Sequence, residues 1–344
     1  MGTGFVGQVA HLVNYADMSN VKLESIAELR GNLGAKVARR YGIERQFPDH
    51  RAMIEGANGE LDAVVAIVRR EHTATVALDI LEAGIPLFTE KPMAPTVAQG
   101  EELVAAAEKA GVLYSVGFMR RYDDGVQAAK KVFQELVRTE ELGKPLLMRC
   151  FCFGGGDYCN ISGNIRTTEP APKRQLRPIS PEWIPRSSEK EYESFLNVFV
   201  HDINLIRFLA DETPIITGVD YRENSGVIGL GFDAYPGVFE FAHLQTDRYW
   251  EEGVEIIFSK GRIKLELCPA FLRNQPARVE IVKEVNNGNS SVISPQGDWT
   301  WAFKNQAAAF VDNVISKTPS IASGEDSLGD LVIIEKIWEK ILGH

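Results

Sequence analysis

Cysteine is scarce in this chain: four residues, Cys150, Cys152, Cys159 and Cys268, in 344. That is too few for a disulfide framework, so the fold does not rest on covalent staples. Positive charge is in the minority, with 37 lysines and arginines against 47 aspartates and glutamates and a formal net charge of −10. Such a chain repels the phosphate backbone that supplies most nucleic-acid affinity, which argues against nucleic acid as a partner. No run approaches the ~18–20 consecutive apolar residues of a membrane span. The opening Met1-Gly2-Thr3-Gly4 has neither a charged n-region nor an apolar h-region, so a soluble, cytoplasmic protein is expected. Internal repeats are missing as well. Cys150 and Cys152 alternate within a strand-like run, Leu146 to Phe153, where a packing role on one sheet face is expected and no metal site.

What is present is enough chain for two domains. The first 150 residues alternate short β-branched runs with helical patterns, the signature of βαβ units and a doubly wound parallel sheet. Strands are expected at Val21–Glu28, Leu61–Val68, Ile85–Thr89 and Val112–Val116. Thr96-Val97-Ala98-Gln99 reads as a capping box, and Gly42, Gly84 and Gly111 each follow a helical run where a left-handed cap is needed. The second half changes character. Runs from Ile215 to Val285 without intervening helices read as a large, mostly antiparallel open sheet, with helices at about Tyr192–Ala210, Trp301–Ile315 and Ser327–Leu342. The expected division is a dinucleotide-binding domain over 1–120, a substrate-binding and oligomerisation α+β domain over 121–320, and a C-terminal helix over 321–344 packing back on the first domain.

Gly2-Thr3-Gly4-Phe5-Val6-Gly7 spells G-x-G-x-x-G and runs into a helical pattern. In a dinucleotide site the first glycine makes the tight turn, the second lets the backbone approach the pyrophosphate, and the third packs helix on sheet. Gly2, Gly4, Phe5, Val6 and Gly7 are therefore candidate cofactor contacts. Glu28 ends the next strand 21 residues after Gly7, near the spacing of the acidic residue that holds the ribose hydroxyls. A carboxylate there repels a 2′-phosphate and favours NAD(H); Arg30, two residues on, could instead welcome NADP(H). The motif should follow a strand, yet only Met1 precedes it. The expectation is that the natural chain begins some six residues earlier, or that an upstream segment precedes Met1.

Ile85-Pro86-Leu87-Phe88-Thr89-Glu90-Lys91-Pro92 is a buried strand ending in Glu-Lys-Pro. Together with the glycine motif it resembles the glucose–fructose oxidoreductase, inositol dehydrogenase and rhizopine-catabolism family (Gfo/Idh/MocA). The likeness continues through Leu61-Asp62-Ala63-Val64-Val65, His72, Val116-Gly117-Phe118-Met119-Arg120-Arg121-Tyr122, Val200-His201-Asp202-Ile203 and Ser323-Gly324-Glu325-Asp326. The resemblance implies that Lys91 sits beside the nicotinamide and contacts the reacting hydroxyl. A cation at the C-terminal end of a parallel strand lies in the ligand crevice, where it stabilises a developing alkoxide. Glu90 anchors the turn, and both Glu90 and His72 are expected near the cofactor.

From Phe195 to Ala210 the helix is apolar almost all round, with Asn197, His201 and Asn204 forming one polar stripe at i, i+4 and i+7. A ligand pocket would give those groups partners. The resemblance implies that His201 is the general acid/base. It also implies an aspartate four residues earlier, where this chain has Asn197; an amide orients an imidazole but does not raise its pKa. Glu193, one turn earlier, could restore a carboxylate.

Further substrate contacts are expected from Arg121 and from Tyr158. Tyr158 lies in the Gly154–Ser188 segment, which also holds Asp157, Asn160, Asn164 and the run Lys173-Arg174-Gln175-Leu176-Arg177. The Asp, Asn and Tyr side chains suit a polyhydroxylated ligand and the basic run an anionic one; Arg69 and Arg70 either tie down a loop or meet an anionic group. The resulting expectation is an NAD(P)-dependent oxidoreductase acting on a secondary alcohol of a sugar, cyclitol or related polyol. Alternatives are an NAD-retaining glycosidase or epimerase, or a non-catalytic nucleotide-sensing regulator. An exposed sheet face would leave a large apolar patch, so a homodimer or homotetramer through that sheet is expected.

Overall fold

A computed structural model describes residues 1–57, 59–156, 162–172, 177–285 and 288–343. The chain divides into two compact units: Met1–Phe118 with Ile161–Asn197 and Phe303–Leu331, and Met119–Asn160 with Val198–Ala302 and Val332–His344.

In the first unit a π-helical turn, Gly7–Leu12, follows the glycine motif and runs into α1 (Val13–Ala16). Then come β1 (Ser25–Ala27), α2 (Gly31–Tyr41), β2 (Arg45–Phe47), α3 (His50–Ala57), β3 (Val64–Ala66), α4 (Arg70–Glu82), β4 (Leu87–Glu90), α5 (Val97–Ala110) and β5 (Tyr114–Gly117). All strand pairs are parallel, β1 with β2 and β3 with β4 with β5, the Rossmann-type arrangement expected. The expected strands are present but shorter than the apolar runs that announced them. The three-residue β2 was not anticipated, because Arg45-Gln46-Phe47 carries no readable alternation.

The two parallel sheets do not pair with each other. Between them stand Met1 and Gly2: the Met1 ammonium donates to Val65 O at 2.6 Å, Met1 O accepts from Ile67 N at 2.9 Å, and Gly2 N donates to Ala27 O at 2.9 Å. A cavity of about 680 Å³ opens beside them, lined by Tyr15, Leu23, Ile26, Val64, Val65 and Phe310 among others. Its position is that of the central first strand in an open doubly wound sheet. Phe88 on β4 is buried beside Tyr15 and, from α8 (Ala302–Ser316), Phe310, with the Phe88 and Phe310 rings 5.5 Å apart.

Local signals held where they had a mechanism. Thr96 Oγ1 accepts from Gln99 N at 3.2 Å at the start of α5, but the Gln99 amide turns away to Pro178 O, so only half of the capping box forms. Gly42, Gly84 and Gly111 take φ of 67°, 73° and 64° after their helices.

The second unit begins with a 3₁₀ turn, Met119–Tyr122, and α6 (Asp124–Thr139), then β6 (Pro145–Gly154) and the C-terminal part of α7 (Glu189–Ala210). There follow β7 (Ile215–Arg222), β8 (Ser225–Gly231), β9 (Pro236–His243), β10 (Trp250–Phe258), β11 (Gly261–Leu267), β12 (Arg278–Val285) and β13 (Asn289–Ile293). The eight strands form one sheet, ordered β13-β12-β11-β10-β6-β9-β8-β7, antiparallel except for β6 beside β9. Met148, Cys150, Cys152, Phe239, Phe241, Val254 and Ile256 are buried on one face, where Phe199 of α7 packs its ring 4.5 Å from that of Phe241. Cys150 and Cys152 thus share one face and pack, as expected. The last helix, α9 (Gly324–Leu342), buries Leu331 in the first unit and places the Trp338 ring 5.6 Å from Tyr221 in the second.

The opposite face is not the bare apolar patch that the pattern suggested. Arg149 holds Glu240 through two bonds of 2.8 and 3.0 Å and Glu255 at 3.4 Å, while Lys264–Glu266 and Arg278–Glu280 pair at 2.5 Å. Alternation places these charges on the solvent side of the same strands whose other side forms the core. Among the described residues, no helix is long and apolar enough to cross a membrane.

Candidate active site

The glycine motif is built for close approach. A Cβ at Gly2, where φ is +75°, would lie 2.1 Å from Ile67 O, and one at Gly7 would lie 2.4 Å from Gly2 O, so both positions need glycine. At Gly4 a Cβ would meet nothing within 4 Å. That backbone opens onto a crevice of about 1360 Å³ whose lining includes Gly2, Gly4, Phe5, Val6 and Gly7. Glu28, Arg30 and His72 line it too, so the structure gathers eight of the expected cofactor residues around one cavity. The crevice, the open backbone at Gly4 and a carboxylate directly after β1 all fit a dinucleotide.

Glu28 is only 5% exposed, and its oxygens are already engaged. Oε2 accepts from Thr3 N at 2.7 Å and Thr3 Oγ1 at 2.8 Å; Oε1 accepts from Arg30 N at 3.1 Å and Arg30 Nε at 2.7 Å. Burial alone would push this carboxyl up, but the bonds from Arg30 and Thr3 outweigh it and hold Glu28 below the usual carboxylate range. The Arg30 guanidinium is folded onto Glu28.

Glu90, at the end of β4, lies outside that lining. Its Oε1 is 2.8 Å from His11 Nε2, and its Oε2 accepts from Lys91 N at 3.2 Å. His11 is a buried residue of the π-helical turn that the sequence reading passed over; its ring lies 5.4 Å from Phe88. The signal was there in a histidine four residues after Gly7, but its partner is 79 residues away. Lys91 Nζ donates to Asn197 O at 2.8 Å and to Asn197 Oδ1 at 3.4 Å, so these two expected residues do meet. The Lys91–Pro92 peptide is cis. Arg69 pairs with the neighbouring Glu71 at 3.4 Å at the rim of the crevice.

In the second unit His201 lies on α7, one turn beyond Asn197. The third member of the polar stripe finds its partner inside the protein: Asn204 Oδ1 accepts from Arg121 Nε at 2.8 Å. Arg121 is buried and also lies over the Phe208 ring at 5.1 Å, so it braces α7 from within. Next to His201, Asp202 is buried, and burial, reinforced by Glu252, pushes its carboxyl well above the ordinary range. Glu252 accepts from Arg120, which also donates to Cys268 O at 2.8 Å, and from Trp250 Nε1 at 3.2 Å. Tyr158, with Asp157, Asn160 and most of the basic run from Lys173, lies outside the described residues. Among the described residues, no group of three or more His, Cys, Asp or Glu is placed to hold a metal.

Comparison with known proteins agrees with this geometry. Residues 1–118 match the family described as "Oxidoreductase family, NAD-binding Rossmann fold". The chain is 23% identical to the myo-inositol 2-dehydrogenase of Thermotoga maritima over 95% of its own length and 90% of that protein's. It is 36% identical to an inositol 2-dehydrogenase/D-chiro-inositol 3-dehydrogenase of Shouchella clausii over 44% of this chain and 42% of the relative. A levoglucosan dehydrogenase solved with NADH and levoglucosan superposes with a TM-score of 0.77 at 19% identity, covering 99% of this chain and 96% of that one, a likeness of fold. The glycine-motif crevice, the family match over residues 1–118 and one relative alike over nearly the whole length thus make the chain similar to the Gfo/Idh/MocA oxidoreductases, with an NAD-binding Rossmann fold in its first unit.

Proposed function

We propose that the protein is an NAD(H)-dependent dehydrogenase or reductase acting on a secondary alcohol, or the matching ketone, of a cyclitol or sugar. The observation that carries the reading is the first unit's pairing of an open glycine-motif crevice with Lys91 held on Asn197 at 2.8 Å. The names of the relatives, inositol 2-dehydrogenases, and the levoglucosan complex support a polyol substrate.

Bound nicotinamide supplies hydride transfer. The residues of this chain do the rest. Gly2, Gly4, Phe5, Val6 and Gly7 offer backbone to the pyrophosphate, and His72 lines the same crevice. The Lys91 ammonium, oriented by Asn197, holds the reacting oxygen and stabilises negative charge that develops on it. His201 takes the hydroxyl proton in oxidation and returns it in reduction. Asn197, standing where a carboxylate is expected, orients without adding charge. Glu90 fixes the turn that carries Lys91 by bonding His11 and the Lys91 amide. In this assignment Arg121 positions α7 and leaves substrate contact to Lys91, Asn197 and His201.

Glu28 supports NAD(H) over NADP(H), since its ionised carboxylate faces the crevice where a 2′-phosphate would enter. The first unit is proposed to hold the cofactor and the second to contribute to substrate binding and to self-association through its sheet. The free thiols Cys150, Cys152 and Cys268 fit a reducing compartment, the cytoplasm.

Titration of NADH into the purified chain, read by energy transfer from tryptophan, followed by assays on inositols and sugars, tests the reading. Lys91→Ala and His201→Ala should each lower turnover about 10²–10⁴-fold while leaving the melting temperature near that of the parent. Unchanged rates would remove these residues from the mechanism, and absence of NADH binding would overturn the reading as a whole.

A further inference from the structure

The first unit includes a segment far from the glycine motif in sequence, residues 162–172, that is strapped onto its nucleotide end. The Gln8 side chain grips the strap as a strand would: Nε2 donates to Ile165 O at 3.0 Å and Oε1 accepts from Ile165 N at 2.7 Å. Gln8 is itself buried and also donates to Thr3 O at 2.7 Å, inside the glycine motif. Arg40 Nη1 donates to Gly163 O at 2.6 Å, and Ile165 packs against the core that includes Ile26 and Leu33. The strap therefore reaches the crevice with a defined register, and Glu169 to Pro172 form part of its wall alongside Glu28 and Arg30.

Within that wall the Glu169 carboxylate has a particular seat. Oε2 accepts from Asn32 N at 3.1 Å and Leu33 N at 3.2 Å, while Oε1 accepts from Asn32 Nδ2 at 3.4 Å. The two backbone donors are first-turn amides of α2, whose N-cap is Arg30. A phosphate on the ribose 2′-oxygen would need donors from this group, the amides after the strand and a nearby arginine. Both are already held by carboxylates: Glu169 on the α2 amides, Glu28 on Arg30. Entry of a dianionic group would have to displace one bonded carboxylate and stand beside a second. A plain 2′-hydroxyl makes no such demand.

We propose that Glu169 is a cofactor-selecting residue, an internal anion on a strap that occupies the 2′-phosphate position and makes the crevice reject NADP(H). The inference rests on the dinucleotide reading given above. It goes beyond Glu28, because the selecting group comes from outside residues 1–118, the part that matches the family.

The test is equilibrium titration of NADH and NADPH into the parent chain, Glu169→Gln and Glu169→Ala, with melting curves to establish that each variant folds. Removing the charge should raise the ratio of NADPH to NADH affinity at least about tenfold, since a like-charge juxtaposition is relieved. The gain should shrink as salt is raised. A ratio that stays within about twofold of the parent in both variants overturns the assignment of Glu169 and leaves the dinucleotide site standing. A parent chain that binds neither nucleotide overturns the dinucleotide reading and this inference with it.

Discussion

At the scale of single residues, the second unit carries an unusual burial of charge beside His201. Arg120, Glu252 and Asp202 are each no more than 4% exposed. Burial raises the Glu252 carboxyl and Arg120 opposes it, whereas Asp202 is driven further up, by burial and by Glu252. The arrangement that satisfies all three is an ionised Glu252 against Arg120 and a protonated Asp202. Two substitutions then behave differently. Glu252→Gln leaves a guanidinium buried without its counter-ion and should cost about 3–5 kcal/mol in denaturant unfolding. Asp202→Asn replaces one neutral group by another of the same shape and should cost less than about 1.5 kcal/mol near neutrality. The pH dependence separates them further. The folded Asp202 keeps a proton that the unfolded chain releases above about pH 4, so this group makes stability fall as pH rises. Asp202→Asn removes that fall, and its stability relative to the parent should improve from pH 5 to pH 8. A variant that worsens over the same interval would show Asp202 to be ionised in the folded protein.

At the scale of elements, the legible features were those with a local cause. The left-handed glycines after α2, α4 and α5 and the Thr96 cap follow from backbone sterics and one hydrogen bond, so sequence sufficed. Lys91 and Asn197 were singled out separately, by a strand end and a helix stripe, and the structure brings the two together. What stayed hidden depends on partners distant in the chain: His11 with Glu90, Asn204 with Arg121, and the Glu169 strap on α2. The gap between β1 and β3 belongs to this scale. In the 344-residue chain the Met1 ammonium sits in it, and burial lowers its pKa to about 6 despite the pull of Glu28. An amine whose folded pKa is depressed binds fewer protons folded than unfolded between about pH 6 and pH 8, so stability should rise across that window, by roughly 2–3 kcal/mol. Appending about six β-branched residues ahead of Met1, the length of an ordinary strand, should fill the cavity and raise the denaturation midpoint. It should also abolish the rise between pH 6 and pH 8, because the charged terminus moves away. An extended chain with the parent's midpoint and the parent's slope would show that the cavity does not accept a strand.

At the scale of the whole molecule, the question is whether a chain with net charge −10 associates with its own copies. The solvent face of the eight-stranded sheet supplies an answer in its arrangement of charge. Arg149, Arg262, Lys264 and Arg278 pair there with Glu240, Glu255, Glu266 and Glu280, four cations with four anions. Phe151 and Phe153 stack beneath Arg149, with ring centroids 5.9 Å apart and the guanidinium 4.9 Å from Phe151. The paired charges cancel; Glu251 and Glu284 lie on the same side by alternation, so the face keeps a small negative surplus and two such faces repel weakly. The proposed dimer or tetramer through this sheet should then tighten when salt rises from about 0.02 M to 0.2 M, because screening weakens the repulsion between whole copies more than the short pairs within the face. Arg149→Glu would set three carboxylates side by side at the centre of the face and should yield a monomer at every salt concentration, with secondary structure retained. Sedimentation velocity at micromolar protein decides the matter. A parent chain that is monomeric throughout, or an Arg149→Glu variant that assembles as the parent does, would remove the sheet face from the assembly.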